Sequence, residues 1–309
     1  MLASASSTEN RSGILAMLVG MGLFVVNDAM MKLASEAFPT GQMLAVRGLI
    51  TTVVVLGLVV ALGEARKLTT LAQPFVAGRA LLEALISFLF ITALARAPLA
   101  DLTAILQATP IIVTLLLVVL GLERVGWRRW VAILVGFAGV LLIVRPGTAG
   151  FDASALLALA AAVLVAVRDL MTRMIHADTP SIVVVFTTTL TVAVVGPIIG
   201  TVAGEAWQPI LRAESLILVA AAVLYGCGNI AVVLAFRRAD ISVVSPFRYA
   251  SVAFALVIGF AVFGDFPDAI ALAGFALVVG AGLYAWHRER VRRIAALEAP
   301  AAEPGGPSP

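Results

Sequence analysis

Ten apolar stretches dominate this sequence, each about as long as a bilayer is thick. They lie at residues 14–34, 42–62, 76–95, 100–122, 128–145, 154–174, 181–203, 215–236, 241–264 and 268–286. A helix rises about 1.5 Å per residue, so roughly 20 residues cross the ~30 Å of hydrocarbon. The chain is 61% hydrophobic and 13% charged, against roughly 25% charged in soluble domains. That balance excludes an ordinary soluble domain. The breaks between stretches are short, as at 35–41 and 96–99, so consecutive helices run antiparallel and leave no room for a soluble domain. The first dozen residues hold only Glu9 and Arg11 as charges. Without a basic leader or a small-residue cleavage site, the first stretch reads as a retained helix.

The basic residues orient the chain. With the N-terminus inside, the inner segments hold Arg11, Arg66, Lys67, Arg124, Arg128, Arg129, Arg173, Arg237, Arg238, Arg288, Arg290, Arg292 and Arg293. The outer segments hold only Arg96, Arg145 and Arg212. The positive-inside rule then places both termini in the cytoplasm, which agrees with an even number of spans.

The chain also repeats itself. Asn27-Asp28-Ala29-Met30-Met31-Lys32 returns as Arg168-Asp169-Leu170-Met171-Thr172-Arg173, 141 residues later, and Pro39 returns as Pro180 at the same offset. Ala97 and Ala239, Arg96 and Arg238, and Glu123 and Asp265 match at 142. Each half holds five spans, so the second half is inverted relative to the first. The expected fold is therefore an all-α integral membrane protein, ten transmembrane helices as two inverted five-helix repeats. Its expected parts are an N-terminus at 1–13, repeats at 14–147 and 148–286, and a disordered tail at 287–309. Inverted repeats place a substrate site at the repeat interface and alternate its access.

Charge inside a membrane is expensive, about 2.5–3.5 kcal/mol at the centre, so each such residue needs a partner or a cavity. Arg47, Arg168 and Arg248 have no acid four residues away and are the leading candidates to face a cavity. Asp28–Lys32, Arg79–Glu83 and Asp169–Arg173 stand at helical i, i+4 spacing and can pair on one helix. Lys32 and Arg173 lie close enough to span ends to snorkel. For Asp28 and Asp169, gating, helix-contact and substrate-contact roles all fit. Asp28 lies about 21 Å into its span and Asp169 about 22 Å into its own, from opposite sides. That predicts an outer group with Lys32 and Arg47, and an inner group with Arg79, Glu83, Arg168 and Arg248. Pro246, beside Arg248 and Tyr249, removes a backbone hydrogen bond, and broken backbone in a span lines a cavity. Gln107 and Pro110 make the same case in the fourth span. The substrate-binding candidates are thus Arg47, Arg79, Gln107, Arg168, Arg248 and Tyr249; the gating or coupling candidates are Asp28, Glu83 and Asp169. Trp127, Trp130, Tyr284 and Trp286 read as interfacial anchors. Gly136, Gly139, Gly280 and Gly282 read as close-packing positions.

Other chemistry finds no footing. Cys227 is the only cysteine, and His176 and His287 are too far apart for metal-ligand spacing. No phosphate loop precedes a Lys-Ser/Thr pair. No cofactor, metal or nucleic-acid partner is expected, and an enzyme is not.

Leu120-Gly121-Leu122-Glu123-Arg124-Val125 and the run from Gly136 to Gly147 resemble the end of an EamA-type repeat, as does Phe263-Gly264-Asp265-Phe266-Pro267. Thr109-Pro110 and the Asn27–Lys32 segment fit as well. Over residues 12–288 the chain resembles the EamA family of the drug/metabolite transporter superfamily. Asp265 stands where that family usually has Glu. The Arg168-Asp169 and Pro246–Tyr249 segments look similar to the branch that includes S-adenosylmethionine and riboflavin uptake carriers, which assigns no substrate. The resemblance implies ten helices around a central site and transport of amino acids, nucleotides, vitamins or other metabolites, inward or outward. The expected protein is a secondary active transporter of a small polar or anionic metabolite in the bacterial inner membrane. Its expected partners are a small-molecule substrate, the lipid bilayer and a coupling proton or ion, and a homodimer is compatible with the sequence. The alternative is a membrane scaffold or lipid-handling protein.

Overall fold

A computed structural model of the chain describes residues 7–122, 126–146, 153–172, 174–176, 178–239 and 241–298. Among these no β-strand occurs. The first half supplies α1 (Ser7–Ala34), α2 (Thr40–Ala61) and α3 (Pro74–Leu94). Next come α4, in two segments (Leu99–Leu106 and Thr109–Val119), and α5 (Trp127–Val144). The second half supplies α6 (Ala153–Thr172), α7 (Ser181–Val202) and α8 (Ser215–Arg238). Helix α9 comes in pieces: Ile241–Val244, a 3-10 turn Ser245–Tyr249, Ala250–Ile258 and a π turn Gly259–Phe263. Helix α10 is Ala269–Glu298. Among the described residues, 9 helices are long and apolar enough to cross a membrane, and the apolar part of α5 is shorter (Trp130–Val144).

Sequence punctuation sets the helix ends, and it does so twice. Pro39 caps α2 and Pro180 caps α7, both with extended backbone. Proline fits there because the first helical turns have no use for its missing N–H. Gly63 follows α2 with φ 73° and Gly204 follows α7 with φ 79°. Both hold the left-handed conformation that only glycine adopts freely at a helix C-terminus. Gly63 and Gly204 are separated by the same 141 residues as the two prolines.

The packing repeats in the same way. Helix α1 lies against α8 and α3 against α6, while α2 pairs with α7, α4 with α9 and α5 with α10. Exchanging the halves, first helix for sixth and so on, returns the same set of pairs. The outer surface is apolar: Leu49 is 61% exposed and Leu134 63% exposed. In water so much apolar surface would be unsheltered, whereas acyl chains satisfy it. The chain is an integral membrane protein.

Both helix termini run longer than the sequence suggests. Helix α1 starts at Ser7 rather than 14, and α10 continues past His287 to Glu298. The 287–298 stretch is rich in good helix formers, and the Arg290 guanidinium stacks 5.8 Å from the Trp286 ring. Residues 299–309 lie outside the described chain. Below, the near end is the one at which α1 starts and α10 finishes, and the far end is its opposite.

Candidate functional site

A cavity of about 500 Å³ lies among α1, α2, α3, α4, α6, α8, α9 and α10. Two broken helices make room for it. Pro110 has no N–H for the Leu106 carbonyl, which the Thr109 hydroxyl takes instead at 2.6 Å. Gln107, at the break in α4, donates to the Arg248 carbonyl oxygen of the 3-10 turn in α9 at 2.9 Å. Gln107 and Tyr249 are 142 residues apart, so the two breaks fall at equivalent places in the two halves. Irregular backbone at membrane depth is tolerated where it lines such a space.

Asp28, Arg47, Glu83, Gln107, Arg168, Asp169, Arg248 and Tyr249 all line this cavity. These are eight of the nine residues the sequence nominates. Members of both predicted charge groups face this one cavity, Asp28 and Arg47 of the first and Glu83, Arg168, Asp169 and Arg248 of the second. Its lining includes Thr114 of α4 and Ala285 of α10, so it extends from mid-bundle to the near end.

The charges form two arrangements. Arg168 donates to Glu83 at 2.5 Å and to Asp169 at 2.6 Å, joining α3 and α6. The planar guanidinium fork suits two carboxylates at once. Asp28 accepts a hydrogen bond from the Asn27 amide at 2.9 Å, and the Arg47 guanidinium lies 4.8 Å from the Tyr225 ring centroid. Arg47 is only 6% exposed. Three acids and three bases thus share the cavity, and their formal charges cancel.

Several sequence pairings are corrected. Arg79 is off the cavity lining: it donates to the hydroxyls of Thr172 at 3.0 Å and Thr188 at 2.6 Å, tying α3 to α6 and α7. Its i+4 neighbour Glu83 turns to Arg168 instead, where a cross-helix fork gives the better geometry. Asp28 and Lys32 do not pair either. Lys32 is no snorkelling anchor: it donates to the Ala97 carbonyl at 2.8 Å and to Asp265 at 3.3 Å, over the Phe263 ring. Arg173, the other half of the expected Asp169–Arg173 pair, lies outside the described residues. Trp286 lines the cavity rather than serving only as an interfacial anchor, because α10 turns it inward beside Ala285. Of the glycines, Gly280 faces open space, whereas Gly139 abuts Gly274 and Gly282 abuts the Tyr249 ring.

The far end is closed by polar links. Besides Lys32, Arg145 is bound to Asp268, Gln42 and Gln208 exchange hydrogen bonds at 2.6 and 2.8 Å, and Glu205 accepts from the Gly41 N–H at 2.8 Å. The Arg145 hydrogen bond holds the Asp268 carboxyl down at about 2, helped by the Ala271 N–H. The same bond holds the Arg145 guanidinium above its ordinary range. Among the described residues no cluster of three or more His, Cys, Asp or Glu is placed to hold a metal ion.

Sequence reasoning missed Tyr225, Phe90 and Ser87, which also line the cavity. Tyr225 was within reach: it stands 142 residues after Glu83, at the equivalent place in the second half. Phe90 and Ser87 carry no comparable signal.

The model of the EamA-like transporter family matches residues 11–145 and again residues 153–285, once for each half. The chain is 30% identical to a riboflavin transporter of Vibrio cholerae, over 91% of this chain and 95% of that protein. It is 26% identical to an S-adenosylmethionine uptake transporter of Rickettsia bellii, over 88% of this chain and 94% of that one. A pseudopaline exporter of Pseudomonas aeruginosa is 27% identical, over 87% of this chain and 94% of its own. A protein of known crystal structure shares the fold with a TM-score of 0.59 at 23% identity, covering 90% of this chain and 98% of that one.

Proposed function

Because the chain belongs to the EamA-like transporter family, we propose that it is a secondary active transporter of a small polar metabolite with an anionic group, working by alternating access in the bacterial cytoplasmic membrane. One observation carries this reading. A cavity in the membrane core gathers three bases and three acids, and the ion pairs Lys32–Asp265 and Arg145–Asp268 link the bundle across its far end. Charge at that depth is retained where it meets a substrate or a coupling ion. The related proteins named above move S-adenosylmethionine, riboflavin and pseudopaline, two as transport or uptake and one as export.

The near end carries Arg11, Arg66, Lys67, Arg128, Arg288 and Arg290. The positive-inside rule makes that face cytoplasmic, so the cavity opens inward in this state. The two repeats, 14–147 and 148–286, would swap conformations as the far end opens and the near end closes. Arg47, Arg168 and Arg248, with Gln107 and Tyr249, form the substrate surface, and Arg79 braces it from behind. Glu83 and Asp169 hold Arg168 and would exchange partners on opening. A scaffold reading requires membrane-buried polar groups to meet only other helices. Arg79 does so, whereas Arg47, Arg168 and Arg248 also face the cavity.

Uptake into proteoliposomes, with metabolites grouped by charge, tests the proposal. Arg248→Gln and Asp169→Asn are expected to lower flux at least tenfold while leaving the protein folded. Undiminished flux in both variants would remove these residues from the mechanism.

A further inference from the structure

Gly282 of α10 lines the cavity, and the space its missing side chain leaves is filled by Tyr249 of α9. A methyl carbon at Gly282 would overlap the Tyr249 hydroxyl oxygen and its Cζ, and would stand 2.9 Å from its Cε1. Those are the three nearest atoms, so the gap seats one side chain. Gly280, two residues earlier, meets nothing within 4 Å. Glycine is a poor helix former, and of these two only Gly282 has its missing side chain used by a neighbour.

The seat belongs to one half of the chain. Tyr249 stands 142 residues after Gln107, at the break in α9 where Gln107 marks the break in α4. Gly136-Phe137-Ala138 recurs as Gly274-Phe275-Ala276 at an offset of 138, so Gly282 matches Val140 at the first offset and Val144 at the second. Both valines are buried. The half with the larger residue at its break has the glycine that receives it, and the half with the smaller one has a valine. The seat is also part of the cavity wall. Gly282, Ala285 and Trp286 stand at i, i+3 and i+4 on one face of α10, and all three line the cavity.

We propose that Gly282 is a specificity-determining residue: by seating the Tyr249 phenol against α10, it keeps the cavity wide and so sets the largest substrate that enters. This rests on the transporter reading and adds a size limit to that site. A side chain at position 282 cannot share the seat, because atoms forced that close must move apart. The α10 backbone stops the ring on one side, and the open space on the other is the cavity. The phenol then moves into a volume of about 500 Å³. Small substrates still fit, and large ones do not.

Thiol labelling of the purified full-length protein tests this without a substrate. Ser87 lines the cavity. In a Cys227→Ser background, Ser87→Cys is treated with N-ethylmaleimide and with the much bulkier fluorescein maleimide. Gly282→Ala, checked for helix content and monodispersity, is expected to slow the bulky reagent at least fivefold and the small one less than twofold. Gly280→Ala is expected to change neither rate. Adding Tyr249→Leu to Gly282→Ala is expected to bring the bulky rate back to within twofold of the parent, because the ring that lost its seat is gone. Tyr249→Trp with Gly282 in place enlarges the ring beyond its seat. It is expected to slow the bulky reagent at least threefold, and it carries the test if Gly282→Ala does not fold. Equal slowing of both reagents, an unchanged ratio of the two rates, or a defect that Tyr249→Leu leaves in place overturns the proposal. Flux of a metabolite in proteoliposomes of the parent chain keeps the transporter reading whatever the labelling gives.

Discussion

The Lys32 ammonium reaches from the end of α1 to Asp265, beyond the end of α9, at 3.3 Å, and also bonds the Ala97 carbonyl between α3 and α4. One side chain thus ties two connections to the end of α1 at the far end. The side chains are 15% and 37% exposed, so solvent screens the pair only in part. Reversing one charge, Lys32→Asp, is expected to lower proteoliposome uptake severalfold, since a partly exposed pair contributes about 1 kcal/mol. The double reversal Lys32→Asp with Asp265→Lys is expected to recover part of the loss. Recovery would tie the defect to the pair rather than to Lys32 alone.

Arg168 sits between Glu83 and Asp169, with the Arg168 and Glu83 side chains 16% and 13% exposed. Removing one carboxylate leaves part of a buried charge uncompensated. Glu83→Gln is expected to lower stability by roughly 3 kcal/mol, read as an earlier melt in detergent. Glu83→Met with Arg168→Met is expected to cost less, because no lone charge remains. A double variant less stable than the single one would show that the trio contributes net stability.

Asp268 gives a pH signature. Its carboxyl is held at about 2 rather than 3.8 by Arg145. A depressed acid contributes stability that is complete above its unfolded value and is lost as pH falls through its folded one. The difference in melting temperature between wild type and Asp268→Asn is therefore expected to be constant from about pH 5 to pH 8. It is expected to shrink below about pH 4 and to vanish near about pH 2. A change between pH 5 and pH 8 would place the titration elsewhere.

Glycines that look alike in the sequence separate in the fold. A methyl group on Gly139 would stand 2.8 Å from the Gly274 carbonyl oxygen, whereas one on Gly280 meets nothing within 4 Å. Gly139→Ala is expected to cost about 1–3 kcal/mol by forcing α5 from α10. Gly280→Ala is expected to be neutral, or stabilising by up to about 1 kcal/mol, since alanine suits a helix better. Thermal melts of the two variants compare them directly.

These cases show where sequence reading reaches and where it stops. Span length and the 141-residue offset of Pro39 and Pro180 are written along one chain, and the helices begin where they say. Arg47, Arg168 and Arg248 stood out because no acid lies one turn away, and all three line the cavity. Partner choice was not legible. Glu83 has Arg79 one helical turn away yet binds Arg168 on another helix. Spacing along a helix shows which pairs can form, while the packing of α3 on α6 decides which pair does. Trp286 shows the same limit: its amphipathic ring suits either an interface or a cavity, and only the rotation of α10 settles it.

Sidedness of access tests the central claim most directly. Ser87 lines the cavity and Cys227, the sole native thiol, has an exposed side chain. In a Cys227→Ser background, Ser87→Cys would be treated with a membrane-impermeant maleimide from each face of sealed vesicles. The result expected is labelling at least tenfold faster from the near end. Adding Lys32→Ala or Asp265→Asn is expected to raise far-end labelling at least threefold. Labelling from one face only, unchanged by either variant, would contradict a cavity that opens to the two sides in turn.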